Sequence, residues 1–377
     1  MPDLPPIAAV IGDVDESVAE LAEVFSRSIS RIRGGAQFAL IVEGKTLIDV
    51  SGGTIQRDTP VQVFSVSKLI TTLAATHAHE SGALDLDQPI GAYWQAMSKD
   101  STKDITTRMI LEHSSGLAAI DRPLTIDEFV AGELDSEIEK QEPYWKPGTA
   151  HGYHAFTFGP LMNGVFRNAV GMPVSAYVRQ HFTEPTGHNF WFGAPAEIVG
   201  RVAPLSFDFP ILTAGQADAI MSGRAINDGS MAPVFAGAPF FFGDPRVIQM
   251  DVPSLTGVTT ASDVAHLVAK VTGISSDSGI LSRPSLDAMT VERRNGMDRT
   301  LSHVSRFGSG VELPHVYSPM LSGSSFGHQG AGGSTVVLDP ERDVVFSYVG
   351  THTQPTVGVS DAALVLLSAV NQWLEQR

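Results

Sequence analysis

The sequence predicts an α+β fold: a central antiparallel sheet flanked by helices, joined to a mainly helical insertion. Three observations point there. β-rich runs fall near both ends of the chain, over residues 37–50 and 334–349. Helical apolar spacing dominates what lies between them. Strands at both ends with helices between imply one sheet fed by both termini. The expected division is an α/β sheet domain from residues 1–84 and 295–377, and a mainly helical domain from residues 85–294.

Residues 14–32 read as an amphipathic helix. Val18, Leu21, Val24, Phe25, Ile29 and Ile32 share one stripe, and Gly34-Gly35 stops it. Residues 37–42 and 46–50 follow as a hairpin across Glu43-Gly44-Lys45, with glycine in the turn. After Val61-Gln62-Val63-Phe64 the period changes. Val66, Leu69, Leu73 and His77 share a helical face that Gly82 ends. The middle carries helical patterns over 106–112, 125–131, 156–170, 174–181 and 263–271. Loops such as Ala238-Pro239-Phe240-Phe241-Phe242-Gly243 interrupt them. Residues 334–338 and 344–349 flank Asp339-Pro340-Glu341-Arg342, a turn with proline at its second position. A last helix runs from the N-cap Ser360 to Glu375.

With 377 residues, the chain can bury most of its apolar surface without staples. It has no cysteine, so it forms neither a disulfide nor a thiolate metal site. The net charge of −16 repels a phosphate backbone, which argues against nucleic acid as a partner. No polybasic patch suggests a membrane surface. The start, Met1-Pro2-Asp3-Leu4-Pro5-Pro6, lacks a basic region, and the apolar residues 7–11 are too few for a signal peptide. No run approaches the roughly 18 apolar residues of a membrane span. The expectation is a soluble, cytoplasmic protein, with the oligomeric state, a homo-oligomer included, left open.

The chemistry is carried by three short segments. In Ser65-Val66-Ser67-Lys68, three residues separate a hydroxyl from an amine, so one turn of helix brings them together. An amine acts as a base near neutral pH only when its pKa falls well below about 10.4. Burial and the positive end of a helix both push it down. Ser65 at the helix start also keeps its own N–H free. The segment thus offers a nucleophile, a base and half an oxyanion hole. Alone it is a weak pattern, equally a helix with a surface lysine. The second segment, Trp145 to Ala155, places Tyr153 in a glycine-preceded loop. The third, Phe326-Gly327-His328-Gln329-Gly330-Ala331-Gly332-Gly333-Ser334, has four glycines leading into a strand, which lets backbone approach a ligand closely.

Together, Ser65-x-x-Lys68, Tyr153-x-Ala155 and His328-x-Gly330 resemble class C β-lactamases and their esterase relatives in order and spacing. Leu111-Glu112-His113-Ser114-Ser115-Gly116-Leu117 looks like that family's Leu-x-His-x-Ser-Gly-Leu segment. Trp145-x-Pro147-Gly148-Thr149 with Gly152-Tyr153-His154-Ala155, and Gly327-His328-x-Gly330-Ala331, look most like family VIII carboxylesterases. The resemblance spans about residues 15–375. It implies a β-lactamase/penicillin-binding-protein-like fold with the active site between the two domains. It also implies that Ser65 attacks a carbonyl, that Lys68 and Tyr153 share the base role, and that Lys68's charge favours the phenolate. Tyr153 then passes a proton to the leaving alcohol. The backbone N–H groups of Ser65 and of Ala331, the latter on a strand, hold the oxyanion. His328, Gly330, Ala155 and His154 meet the substrate. No cofactor and no metal are implied.

Two departures are informative. The β-lactamases have asparagine where Ala155 stands and usually lysine where His328 stands. An alanine offers no hydrogen bond, and histidine is a weaker, pH-dependent cation. Both changes favour a neutral small-molecule ester over an anionic amide. The expected function is a serine carboxylesterase of short-chain or compact alicyclic esters acting through an acyl-Ser65 intermediate. The alternatives are an amide or lactam hydrolase of the β-lactamase, DD-peptidase or aminohexanoate-oligomer hydrolase type, an acyltransferase, and a non-catalytic ligand-binding module. Three decoys are weighed. Gly323-Ser324-Ser325-Phe326-Gly327 matches Gly-x-Ser-x-Gly, but that elbow needs a strand before it and a helix after it. The 12 histidines show no His-Glu-x-x-His spacing. Phe190, Trp191, Phe192 and Phe240–Phe242 could wall an acyl pocket, although loop aromatics are more often core.

Overall fold

The structure, a computed structural model, describes residues 8–122, 124–207, 243–353 and 359–377. Phe240–Phe242 lie outside the described residues. Six strands form the central sheet: β1 Val10–Val14, β2 Gly35–Val42, β3 Lys45–Gly53, β4 Phe326–Gln329, β5 Thr335–Asp339 and β6 Val344–Gly350. Their order is β1-β3-β2-β6-β5-β4, and every pairing is antiparallel. Strand β2 from the N-terminal segment therefore lies beside β6 from the C-terminal one, so both ends of the chain build one sheet.

Local sequence explains the turns. Glu43 and Gly44 join β2 to β3 with φ of 50° and 76°. Both values match the two-residue turn whose twist suits a hairpin. Asp339 Oδ1 accepts from the N–H groups of Glu341 and Arg342, each at 3.1 Å, and closes the turn between β5 and β6.

The sheet is buried on both faces. Phe38, Leu40, Ile48, Val50 and Phe346 pack with helix α1 (Ala19–Ile29) and the C-terminal helix α4 (Asp361–Glu375). Phe38 is the hinge of that cluster, with ring centroids 6.0 Å from Phe25 and 5.3 Å from Phe346. On the other face Ala39, Ile41, Val336 and Val345 join a cluster that contains α2 (Val66–Glu80) and α3 (Ala261–Thr272).

Helix α2 departs from the one-faced pattern of its sequence. Every residue from Val66 to Ala78 except His77 is buried. Its polar residues are satisfied by backbone: Thr71 Oγ1 donates to Pro253 O, Thr72 Oγ1 donates to Gly310 O, and Ser67 Oγ accepts from Gly257 N. A helix buried all round must place each hydroxyl against a partner.

The N-terminal reading needs correction. Helix α1 begins at Ala19, not at Val14, and Val14 belongs to β1. Residues 10–14 pair with β3, and Asp15 accepts from Ser17 N at 3.0 Å to start the next turn. The glycine-rich segment also differs: residues 330–333 are a hairpin turn between β4 and β5. Helices Glu133–Lys140 and Arg283–Thr290 were not anticipated. No helix among the described residues is long and apolar enough to cross a membrane.

Replacing Phe38 by Ala is expected to destabilise the fold by about 3–5 kcal/mol. A urea titration followed by circular dichroism measures it.

Candidate active site

Ser65 stands at the mouth of α2, three residues past the end of the short strand Val61–Gln62. The residue before it, Phe64, has φ of 47°. A bulky side chain in the left-handed region stores about 1–3 kcal/mol of strain. That kink takes the chain from strand to helix across three residues and leaves the Ser65 side chain partly exposed, while Phe64 is buried. The amide of Ser65 precedes the first helical turn and donates to no acceptor within the described residues.

Lys68 lies one turn on and is fully buried. Its Nζ is 3.2 Å from Ser65 Oγ, 2.9 Å from Ala155 O and 3.2 Å from Ser254 O. Burial drives its pKa well below the ordinary lysine value, and no carboxylate opposes that. A neutral amine has two N–H groups and one lone pair. The two carbonyls take the N–H groups, which leaves the lone pair for the Ser65 hydroxyl.

Tyr153 is buried, with its ring 4.8 Å from Lys68 Nζ. Burial pushes its phenol far above the ordinary value. A hydrogen bond with Ser65 pulls it down, and the carboxylates of Glu312 and Asp298 push it up again. The phenol is therefore held protonated, contrary to the phenolate expected from the sequence. Its loop is heavily braced. His113, itself at φ 57°, accepts from His154 N through Nδ1 at 3.1 Å, and its carbonyl accepts from Gly152 N at 3.0 Å. Arg294 pairs with buried Glu112 at 2.9 Å and donates to Gly148 O at 3.2 Å.

His154 does not face the cleft. It is fully buried, and its two ring nitrogens are engaged by Ser115 Oγ at 2.7 Å and Gly152 O at 2.6 Å. Expected at the substrate, it is placed as a brace. Ala155 contributes its carbonyl to Lys68. His328 on β4 lies with its ring 6.0 Å from that of Tyr153. Its Nδ1 is bonded to Gln329 O at 2.8 Å, and its buried Nε2 has no partner among the described residues. Burial lowers His328 to about 4, so it is neutral at pH 7.

Ala331 sits in the turn after β4, not on a strand, because Gly330 and Gly333 close that turn. Its amide, like that of Ser65, donates to no acceptor within the described residues. The turn lies against the chain leading to Ser65: a Cβ on Gly330 would stand 2.2 Å from Val63 O, and one on Gly332 would stand 3.2 Å from the Phe64 ring.

The decoys resolve. Ser325 is buried, bonds Asp339 Oδ2 at 3.2 Å and precedes a strand. His77 bonds the Tyr177 hydroxyl, and His79 bonds Leu84 O. Phe190 and Phe192 are core, with Phe190 packed on Gly257. Trp191 lines a polar surface cleft of about 610 Å³ with Asp49, Arg57 and Arg201. Asp298 and Ser254 were missed because neither falls in a recognisable motif, and Glu112 because it fills a variable position of the Leu-x-His-x-Ser-Gly-Leu segment.

The sequence pattern of the family described as Beta-lactamase matches residues 14–370. The chain belongs to the beta-lactamase family. This beta-lactamase-family chain is 26% identical over 371 residues to the esterase/beta-lactamase LipL of Mycobacterium tuberculosis, covering 94% of this chain and 86% of LipL. It is 27% identical to EstA from Arthrobacter nitroguajacolicus Rue61a, with a TM-score of 0.82 and coverage of 97% of this chain and 98% of EstA. A family VIII carboxylesterase superposes with a TM-score of 0.83 at 20% identity, covering 97% of this chain and 100% of that structure. The protein is thus an enzyme of the serine hydrolase family that has the beta-lactamase fold.

Two outcomes follow from this geometry. Gly330→Ala pushes the turn off Val63 and is expected to lower kcat by about 100-fold, the scale of one lost oxyanion donor, with the fold intact by circular dichroism. The second concerns acid. His154 and His328 are each lowered to about 4 from the ordinary 6.5, mainly by burial. Below pH 6.5 the unfolded chain takes up protons that the folded chain refuses, so stability falls until about pH 4. Urea midpoints measured from pH 7 to pH 4 should decline over that window.

Proposed function

We propose that the protein is a serine carboxylesterase that hydrolyses short-chain or compact alicyclic carboxylic esters through an acyl-Ser65 intermediate. One observation carries this reading: the buried Lys68 amine, fixed by Ala155 O and Ser254 O, with its Nζ 3.2 Å from Ser65 Oγ.

The steps follow from proton positions. Ser65 Oγ attacks the ester carbonyl carbon as its proton moves to Lys68 Nζ. The oxyanion is received by the free amides of Ser65 and Ala331. As the carbonyl reforms, the C–O bond to the alcohol breaks, and Tyr153 donates its phenolic proton to the departing alkoxide. Lys68, now an ammonium, returns a proton to the phenolate. Water then attacks acyl-Ser65 by the same route, releasing the acid and restoring the serine hydroxyl. The buried ammonium exists only transiently, where the oxyanion and the phenolate balance its charge.

The preference for an ester over an anionic lactam rests on what surrounds the serine. Ala155 offers no side-chain hydrogen bond. His328 is neutral at pH 7, so it supplies no cation for a substrate carboxylate. LipL bears both activities in its description, and lactam turnover is the second reading.

The purified protein is expected to hydrolyse p-nitrophenyl acetate and butyrate and to be labelled at Ser65 by a fluorophosphonate. Ser65→Ala should lose at least about 1,000-fold of the activity, whereas Ser325→Ala should keep most of it. Substantial turnover in the Ser65 variant would overturn the assignment. Efficient nitrocefin cleavage alongside weak ester cleavage would favour the lactam reading. Activity should fall as pH drops through the lowered pKa of Lys68, because only the neutral amine accepts a proton.

A further inference from the structure

Asp298 ends the strand Arg294–Met297 and begins the tip of the hairpin that Val304–Phe307 completes. It is a fully buried carboxylate, and among the described residues no cation pairs with it. Hydrogen bonds replace that partner. Its Oδ1 accepts from Tyr153 N at 3.0 Å, Thr300 N at 2.9 Å, Leu301 N at 2.9 Å and Thr300 Oγ1 at 2.8 Å. Its Oδ2 accepts from Ser305 Oγ at 2.8 Å, and Ser305 Oγ in turn lies 3.0 Å from His151 Nε2. Burial pushes the carboxyl pKa up, but the N–H groups of Leu301, Thr300 and Tyr153 outweigh it and hold the group ionised. Thr300 Oγ1 also reaches Tyr153 O at 3.0 Å. The amide of Tyr153 is therefore fastened to the hairpin tip by Asp298, and its carbonyl shares the single Thr300 hydroxyl proton with Asp298 Oδ1.

A structural carboxylate need not converge on that residue. The tip's own turn consumes the Thr300 and Leu301 amides. Of the five donors to Asp298, Tyr153 N alone lies outside the hairpin, about 145 residues away in sequence. The phenol of that tyrosine is faced by Lys68 of α2, His113, His328 of β4, and the carboxylates of Glu312 and Asp298.

We propose that Asp298 is the positioning residue for Tyr153: its carboxylate pins the backbone of the tyrosine loop to the 294–307 hairpin and so aims the phenol at the leaving group. This rests on the reading of Tyr153 as the proton donor to the departing alcohol. The consequence is specific. A displaced phenol impairs expulsion of a poor leaving group and barely affects one that needs no proton.

The test compares Asp298→Asn with the wild type on p-nitrophenyl butyrate, whose phenolate leaves unprotonated, and on ethyl butyrate, whose alkoxide does not. Asparagine keeps the shape but removes the negative charge that draws five donors together, and so weakens the bond from Tyr153 N. The expected result is a loss of about 100-fold in kcat on ethyl butyrate, the scale of general acid catalysis, against less than about 5-fold on p-nitrophenyl butyrate. KM should stay within about threefold, and fluorophosphonate labelling of Ser65 should stay near the wild-type rate. Thr300→Val, which removes the second anchor, should show the same signature to a smaller degree and carries the test if Asp298→Asn fails to fold. Equal losses on both esters, or none on either, would overturn the proposal. Failure of the wild type to be labelled at Ser65 would instead overturn the esterase reading itself.

Discussion

The structure depends on one buried amine. Lys68 is held in the protein interior, and among the described residues no carboxylate pairs with it. An isolated ammonium there costs several kcal/mol, so burial pushes the pKa of the amine well below the ordinary lysine value. Three parts of the fold must converge to make that tolerable. Helix α2 supplies the lysine, the end of the tyrosine loop supplies Ala155 O, and the segment before α3 supplies Ser254 O. Each carbonyl is a backbone group, fixed in place by the fold and unable to ionise. The site therefore sets the protonation state of its base by burial and dipoles, without a charged partner that salt would screen or that would itself titrate.

The same economy of charge extends to the histidines. His113, His154 and His328 are buried around Tyr153, and each is pushed below its ordinary value first by burial. None is poised to exchange protons at neutral pH. His113 and His154 brace the loop through backbone contacts, and His328 offers an unpartnered acceptor nitrogen. With a neutral lysine and neutral histidines, the fixed charges near the phenol are the carboxylates of Asp298 and Glu312. Such surroundings keep Tyr153 protonated, which reverses the role that Lys68's charge alone would assign. The phenol is better suited to give a proton than to take one.

Much of this was legible in the sequence, and the limits have physical causes. The hairpin at Glu43-Gly44, helix α2, the β5–β6 turn and the C-terminal helix announce themselves through local rules: turn chemistry, period and caps. Ser65, Lys68, Tyr153 and His328 could be placed because their spacings matched a familiar pattern. Strand β1 was hidden because Ile11 and Val14 on an exposed edge give no alternation to read. His154 was misplaced because adjacency to Tyr153 says nothing about which way a ring turns. Asp298 was invisible because its meaning lies in five donors, and the decisive one, Tyr153 N, is remote in sequence. Long-range satisfaction of a buried charge has no local signature.

The local rules also fail at an instructive place. Phe64 is a bulky residue in a left-handed conformation, immediately before the nucleophile. Glycine would relax that strain, yet the position is filled by a ring buried against the 330–333 turn. The ring gives the strained backbone its support: as it packs on Gly332, the kink that lifts Ser65 becomes coupled to the turn that carries Ala331. Nucleophile and second oxyanion donor come from opposite ends of the chain, and their separation must be held to fractions of an ångström for the donors to act together. Two glycines that admit close approach and one aromatic that fills the gap hold the two segments together. Strain at Phe64 is thus retained where it registers the two halves of the site, and removing the ring would relax the backbone and loosen the geometry at once.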